Sequence, residues 1–408
     1  MIIIGGGLGG LLSAALYSKD QKVILFERSR ELGGRFRNFD RDGYALTTGA
    51  LHMLPHGSTG PLAQILHKVG ANCKIVDSDP YGTFLYNGRE LTFSEIRKSL
   101  PMWDKIRVSK LFLKMRYSGM PDISVQEYFN MRYSDEIYLK VAKCFLGWSL
   151  SVSPSELSMN DLAAIVKNIF NYKGPGIPMG GCGGVIRALE QVLEKNKVLI
   201  IHKKVEQILI EDGKVLGVAT EDGEEYLDDI VVSDIGAKAT SKICPPDSIG
   251  NELRDTIKDI VPSAGIKLNI SCGESLIKHN GVLFPLDCER VEGALQVTNV
   301  DRSLAPQGRH LVMSHQTLVG RNIRSEVERG VAELEDIFKG HEIELICAQT
   351  YFGKNPVNRA SQGQDLSVDS FQIEGLYIVG DSVKGPGGIE VDGISMGVIE
   401  LYNKIKKS

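Results

Sequence analysis

The stretch Met1-Ile2-Ile3-Ile4-Gly5-Gly6-Gly7-Leu8-Gly9-Gly10 decides how the chain is read. Ile2 to Ile4 is a short apolar run that predicts a buried strand. Gly5-x-Gly7-x-x-Gly10 follows at once, and Leu11 to Tyr17 predicts a helix rich in Leu and Ala. A second apolar run, Val23 to Phe26, ends in Glu27. Strand, glycine turn, helix, strand and terminal acid in this order are the context that a dinucleotide fingerprint requires. Gly5 permits the tight turn, Gly7 lets backbone approach a pyrophosphate, and Gly10 lets helix and strand pack closely. The N–H groups at the helix start, around Leu8 and Gly9, offer donors and a positive dipole end to phosphate. Glu27, with Arg28 beside it, is placed to accept hydrogen bonds from ribose hydroxyls, and its charge disfavours a 2′-phosphate.

The bulk of the chain sets limits around this site. At 408 residues there is room for two or three domains with large cores. A net charge of −4 lacks the basic excess of an extended nucleic-acid footprint, so no nucleic-acid partner is expected. The seven cysteines (73, 144, 182, 244, 272, 288 and 347) are odd in number and scattered, with no C-x-x-C pair. Neither a disulfide framework nor a metal site is expected, and a reducing cytoplasm is the expected location. The apolar start of the chain lacks the basic region of a secretory signal, and no apolar run reaches transmembrane length.

Past Glu27, Leu32-Gly33-Gly34-Arg35 suits a second backbone approach to a pyrophosphate, with Arg35 as countercharge. The Thr48-Gly49-Ala50 step could let backbone come close to a planar ring. Taken together, Gly5-x-Gly7-x-x-Gly10, Glu27, Gly33-Gly34-Arg35 and Thr48-Gly49-Ala50 resemble the FAD-dependent amine oxidase and phytoene desaturase superfamily. The resemblance implies that Glu27 holds the adenosine ribose and that Gly34 and Arg35 lie along the FAD pyrophosphate. It also places the adenine near the backbone of Val205, where a strand opens a three-stranded meander. The meander itself is read from Asp212-Gly213 and Asp222-Gly223 between alternating segments.

The far end of the chain completes the pattern. Gly375 to Asp381 reads as a turn, a buried strand and a Gly380-Asp381 pair at its carboxyl end, where an open α/β sheet binds ligands. Asp381 could accept from a ribityl hydroxyl. A glycine-rich loop including Gly388 follows, then a helix from Ile394 to Lys407. Its N-terminus, near Gly393 and Ile394, could stabilise negative charge on a reduced flavin. No cysteine lies in the loops assigned to the flavin ring, so non-covalent FAD is expected.

The fold expected is α/β (α+β overall). A Rossmann-like FAD-binding domain with a three-stranded meander is built from residues 1–80, 176–244 and 355–408. A discontinuous substrate domain of mixed antiparallel sheet and helices is built from 81–175 and 245–354, with a helical subdomain near 96–172. Alternating segments predict strands over Gly265–Ser271, Gly293–Val300 and Leu311–Thr317, with a helix from Arg321 to Phe338. Gly147-Trp148-Ser149 reads as a break between helices. Ile96 to Tyr117 reads as one basic amphipathic helix; it either covers the substrate cavity with its basic face in water, the favoured reading, or touches an anionic membrane surface.

Lys267 is the catalytic candidate. It resembles the lysine that holds a water against flavin N5 in many amine oxidases; otherwise it is a solvated residue on an alternating strand, opposite Ile266, Leu268 and Ile270. The expected function is FAD-dependent hydride transfer at N5. The substrate is expected to be small, apolar and prenyl-lipid or carotenoid-like, to be desaturated or saturated. Two alternatives stand: an amine (C–N) oxidase, against which no aromatic cage is visible around Tyr351 and Phe352, and a non-catalytic prenyl-binding protein of the Rab-escort and GDP-dissociation-inhibitor type. The spacing leaves the oligomeric state open.

Overall fold

A computed structural model describes residues 1–49, 51–320, 322–351 and 366–407. Five three-residue strands form a parallel sheet in the order Leu376–Ile378, Val231–Ser233, Ile2–Ile4, Ile24–Phe26, Leu199–Ile201. Such strands are continuous apolar runs because both faces are covered. On one face lie the helices Leu8–Tyr17, Pro61–Val69, Gly181–Lys195 and Glu390–Ile405. All ten residues of Leu8–Tyr17 are buried, which accounts for its small and aliphatic composition. On the other, a three-stranded antiparallel sheet (Val205–Glu211, Lys214–Thr220, Glu225–Leu227) packs with Tyr226 edge-on to Phe26.

The second sheet has seven strands: Ile343–Tyr351, Gly265–Cys272, His310–Thr317, Gly293–Gln296, Val282–Pro285, Gly82–Tyr86 and Arg89–Thr92. Every neighbour is antiparallel except Val282–Pro285 beside Gly82–Tyr86. The helix Ile323–Ile337 seals one face, with Leu334 packed among Ile266, Leu268 and Ile270. The helix Ile137–Leu150 and the hairpin Asn38–Arg41 and Tyr44–Thr47 cover parts of the other face.

Four expectations need correction. The basic segment is two helices, Phe93–Ser99 and Met102–Tyr117, because Leu100 before Pro101 is forced into an extended conformation (φ −66°, ψ 148°). Gly147-Trp148-Ser149 lies inside a helix rather than between helices, and all three residues are buried. The strand from Gly293 stops at Gln296, where Val297–Asn299 tightens into a 3-10 turn. The last helix begins at Glu390, so Gly393 and Ile394 lie inside it.

The carboxyl ends of the parallel strands are level, since Ile4 pairs with both Ser233 and Phe26, and Ser233 with Ile378. The next residue after Ser233 is Asp234, and its carboxylate holds the first loop. Its Oδ2 accepts from Gly10 N at 2.8 Å. A Cβ at Gly7 would lie 2.5 Å from Oδ2, one at Gly9 2.6 Å from Oδ1, and one at Gly380 2.4 Å from Oδ1. Glycine is therefore required at all three positions by the space that one carboxylate fills. A Cβ at Gly10 would stand 2.0 Å from Gly5 O, the close helix–strand approach that the motif needs.

Loss of hydration in this enclosure raises the Asp234 pKa from 3.8 to about 7; the Gly10 N–H opposes the rise, Asp381 adds to it and Arg35 opposes it. The folded protein thus holds this proton more tightly than the unfolded chain. The stabilisation is complete below about pH 4 and is lost as pH rises through about 7. Urea unfolding at pH 4, 6 and 8 should show Asp234→Asn removing on the order of 2 kcal/mol of the wild-type decline, the partly accessible group being screened. An unchanged pH profile in the variant would show that Asp234 titrates normally.

Candidate functional site

Residues from both ends of the chain meet at the carboxyl edge of the parallel sheet. The Glu27 carboxylate accepts from Gly6 N at 2.7 Å and Ser29 N at 2.8 Å, which fixes it at the strand end. Arg28 beside it is exposed. Gly33 forms a parallel bridge with Gly7, and its N–H donates to Gly6 O at 2.7 Å. Gly33 and Gly34 have φ of 96° and 54°, which turn the chain back so that Arg35 faces the opposite end of the sequence. There its guanidinium pairs with the Asp381 carboxylate, which Lys384 Nζ also approaches at 3.6 Å.

Thr48 Oγ1 donates to Gly34 O at 3.0 Å, and a Cβ at Gly49 would stand 2.9 Å from Arg35 Cβ, so this step lies directly on the Gly33–Arg35 turn. Ala50 and Phe352 fall outside the described residues. Gly388 lies under Gly393, where a Cβ on either would come within 2.8 Å of the other's backbone. Val205 is buried four residues past the Leu199–Ile201 strand, at the same sheet edge.

The donor set fits a flavin dinucleotide. The N–H groups of Leu8 and Gly9 precede the first intrahelical bond, Leu11 N to Gly7 O, and face the loop. A carboxylate stands at the second strand end, and a guanidinium lies between that loop and the last one. A Cβ on Gly34 would meet only Gly7 Cα, at 3.4 Å, so its outer side is open to close approach.

The seven-stranded sheet brings Lys267 to this edge. Its side chain is 1% exposed, which overturns the solvated reading. Alternation does separate Lys267 from Ile266, Leu268 and Ile270, but both faces of the strand are buried. Lys267 Nζ donates to Thr47 O at 3.0 Å and to Thr47 Oγ1, and lies 3.5 Å from Gly49 O. Gln349, its neighbour on one adjacent strand, donates to the same Thr47 O at 2.8 Å. Burial lowers the Lys267 pKa to about 7, so the neutral amine is accessible near neutral pH.

Three further residues belong to the site. Asp234 ends the run Ile230 to Ser233, a strand-end acid like Glu27, and that position is its signal. Glu390 opens the last helix at φ 44°, a conformation rare outside glycine. Burial raises its pKa to about 8, Lys384 opposes the rise, and Asp392 and Asp381 add to it, so its carboxyl is largely protonated at neutral pH. The fields of Lys267 and Glu390 both reach the Cys182 thiol. His52, fully buried, accepts from Cys182 N at 3.0 Å through Nδ1 and bonds Ala45 O at 2.6 Å through Nε2. Burial lowers its pKa to about 4; it ties the Gly181–Lys195 helix to the hairpin as a neutral ring. Among the described residues no group of three or more His, Cys, Asp or Glu is arranged to hold a metal ion.

This arrangement matches known proteins along its whole length. The model of the flavin containing amine oxidoreductase family matches residues 8–391. An uncharacterized protein of Methanocaldococcus jannaschii is 42% identical over 99% of this chain and 98% of its own. The crystal structure of an oxidoreductase from Methanosarcina mazei is 37% identical, with a TM-score of 0.93, over 98% of this chain and 99% of that one. The chloroplastic prolycopene isomerase of Daucus carota is 23% identical over 96% of this chain and 77% of its own. The glycine cradle, the strand-end acids and these likenesses agree: the chain belongs to the flavin containing amine oxidoreductase family and is an FAD-dependent oxidoreductase.

Proposed function

We propose that this enzyme desaturates or saturates an apolar, prenyl-lipid or carotenoid-like substrate with non-covalently held FAD. The observation that carries the reading is the surface of the helical subdomain. Met102, Trp103, Leu113 and Tyr117 are 70%, 75%, 59% and 71% exposed on one helix, among Lys105, Arg107, Lys110, Lys114 and Arg116. Phe93 and Phe170 stand exposed nearby. Water is a poor environment for such a set, and a water-soluble amine substrate gives no reason for it. At the Tyr117 end of this helix a cleft of about 640 Å³ runs between it, the helix Met159–Tyr172 and the Lys384–Gly387 loop. That loop leads to Glu390. The Daucus carota relative, by its name, acts on a carotenoid, which supports the same substrate class.

Bound FAD supplies hydride chemistry at N5. The chain's own residues do the rest. Leu8 and Gly9 N–H groups, with Arg35, would hold the pyrophosphate, and Glu27 the adenosine ribose. Val205 would border the adenine, and Asp381, Gly388 and the start of the last helix would border the flavin end. Lys267 Nζ, held by Thr47, takes up or releases a proton beside Gly49. The cover formed by the helical subdomain keeps water from the reacting carbons.

Three outcomes test this. Acid precipitation should leave FAD in the supernatant, and under anaerobic conditions polyprenoids should bleach the oxidised flavin or reoxidise the reduced flavin, while amines and quinols do not bleach it. Bleaching by an amine alone would replace the substrate reading with C–N oxidation. Lys267→Met should keep its flavin yet slow turnover or flavin reoxidation by about 100-fold or more; wild-type rates would remove Lys267 from the chemistry. We also propose that residues 96–117 touch an anionic membrane surface. Vesicles containing anionic lipid should sediment the protein at low salt, and Trp103→Ser with Leu113→Ser should abolish this. Failure of the wild type to sediment would reject the contact.

A further inference from the structure

A second cluster of proton-handling groups lies on the same sheet face as Lys267, and none of the roles above uses it. His315 is directly opposite Lys267 on the neighbouring strand. Its Nε2 bonds the Tyr351 hydroxyl and lies 3.2 Å from Ser151 Oγ, which bonds that hydroxyl too. Its Nδ1 has Glu292 Oε2 at 3.6 Å. Glu292 is held in turn by Thr317, whose N–H and hydroxyl donate to Oε2 at 2.7 and 2.9 Å. Glu292, His315 and Ser151 are all buried, while Tyr351 is half-buried and is the outermost member.

The fold makes room for this set at some cost. A Cβ at Gly265, two residues before Lys267, would lie 2.3 Å from the Tyr351 hydroxyl and 2.5 Å from His315 Nε2. One at Gly147 would lie 1.9 Å from the Glu292 carboxyl carbon. Ser151 ends the helix Ile137–Leu150 in a left-handed conformation, φ 57° and ψ 44°, which sets its hydroxyl over both rings. Two vacated positions and one strained residue converge on four polar side chains from different elements. A covering contact alone would be served better by apolar packing.

We propose that Glu292, His315 and Tyr351, steadied by Ser151, form a proton relay that serves the substrate carbon next to the one exchanging hydride. The inference rests on the desaturase or saturase reading. In saturation, a hydride supplied by the bound, reduced cofactor would bond one carbon of the C=C bond. The π pair moves to the neighbouring carbon and takes the proton of the Tyr351 hydroxyl. The O–H pair stays on the phenol oxygen, which receives the proton of His315 Nε2. Glu292 balances the imidazolium until then, and solvent restores its proton afterwards. Desaturation runs the same transfers backwards. Burial raises the Tyr351 pKa well above its ordinary 10, and Glu390 and Glu292 add to the rise, so the phenol stays protonated until a transfer demands its proton. Among the described residues, the titratable groups facing His315 are Glu292, Lys267 across the strand pair and, through Tyr351, Glu390 from the last helix.

The test has two arms, each on the FAD-loaded protein. In the first, the His315 ring is titrated by NMR in the wild type, in Glu292→Gln and in Tyr351→Phe. Loss of the Glu292 charge should change the His315 titration; an unchanged titration overturns the relay. In the second, flavin bleaching by detergent-solubilised phytoene is followed in the wild type and in Tyr351→Phe, which keeps the ring and the flavin content. The variant should bleach about 100-fold more slowly, with a solvent isotope effect in the wild type that the variant lacks. Equal rates overturn the relay. A wild type whose flavin phytoene neither bleaches nor, once reduced, reoxidises brings down the substrate reading instead, and the NMR arm then decides the relay alone. Should Glu292→Gln misfold, Ser151→Gly, free of strain at that φ, should still shift the His315 titration.

Discussion

The Asp234 carboxylate is the constraint on which the site depends. It binds Gly10 N and fills the space that side chains would occupy at Gly7, Gly9 and Gly380. These positions come from the first loop and from the end of the last strand. Three strands, Ile2–Ile4, Val231–Ser233 and Leu376–Ile378, lie side by side in register, so residues hundreds apart in the chain share one edge. The Arg35–Asp381 pair then joins the same two ends on the outer side. One packing contact below and one ion pair above hold the two glycine-rich loops in a fixed relation, as a long, thin cofactor requires.

The strand Gly265–Cys272 shows how the second sheet contributes chemistry. Its apolar face closes on the helix Ile323–Ile337, and its polar face is closed by the hairpin that ends in Thr47. A lysine enclosed on that face loses hydration and keeps three oxygens within reach. Desolvation dominates, so its pKa falls to about 7 and the neutral amine is accessible near neutral pH. The opposite movement occurs at Glu390, whose carboxyl is held protonated. A base-like lysine and an acid-like glutamate near one thiol are the displaced pair expected where protons are exchanged.

The helical subdomain follows a different logic. Its inner side packs through Leu111 and Met115, and its outer side leaves Met102, Trp103, Leu113 and Tyr117 in contact with solvent. Apolar and basic residues are mixed on that outer side rather than divided into two faces. A cleft runs from the end of this helix, at Tyr117, to the Lys384–Gly387 loop.

The sequence by itself determined the dinucleotide edge: the Gly5–Gly10 turn, Glu27, Gly33-Gly34-Arg35 and Gly380-Asp381. These features are local, because a glycine turn followed by a helix, or an acid at the end of an apolar run, carries its physical reason within a few residues. The break at Pro101 is equally local, yet the unbroken basic and apolar pattern reads as one helix across it. Tertiary structure alone decided the rest. Alternation separated Lys267 from its apolar neighbours but could not say that a hairpin 220 residues away would cover the polar face. Asp234 and Glu390 stood in readable strand and loop ends, yet their shifted protonation comes from enclosure by distant backbone. Ser151, Glu292, His315 and Tyr351 carry no spacing signal, since strand register and a helix end brought from another layer bring them together. A side chain's identity is written in the chain, while its hydration and its partners are set only when the sheets close.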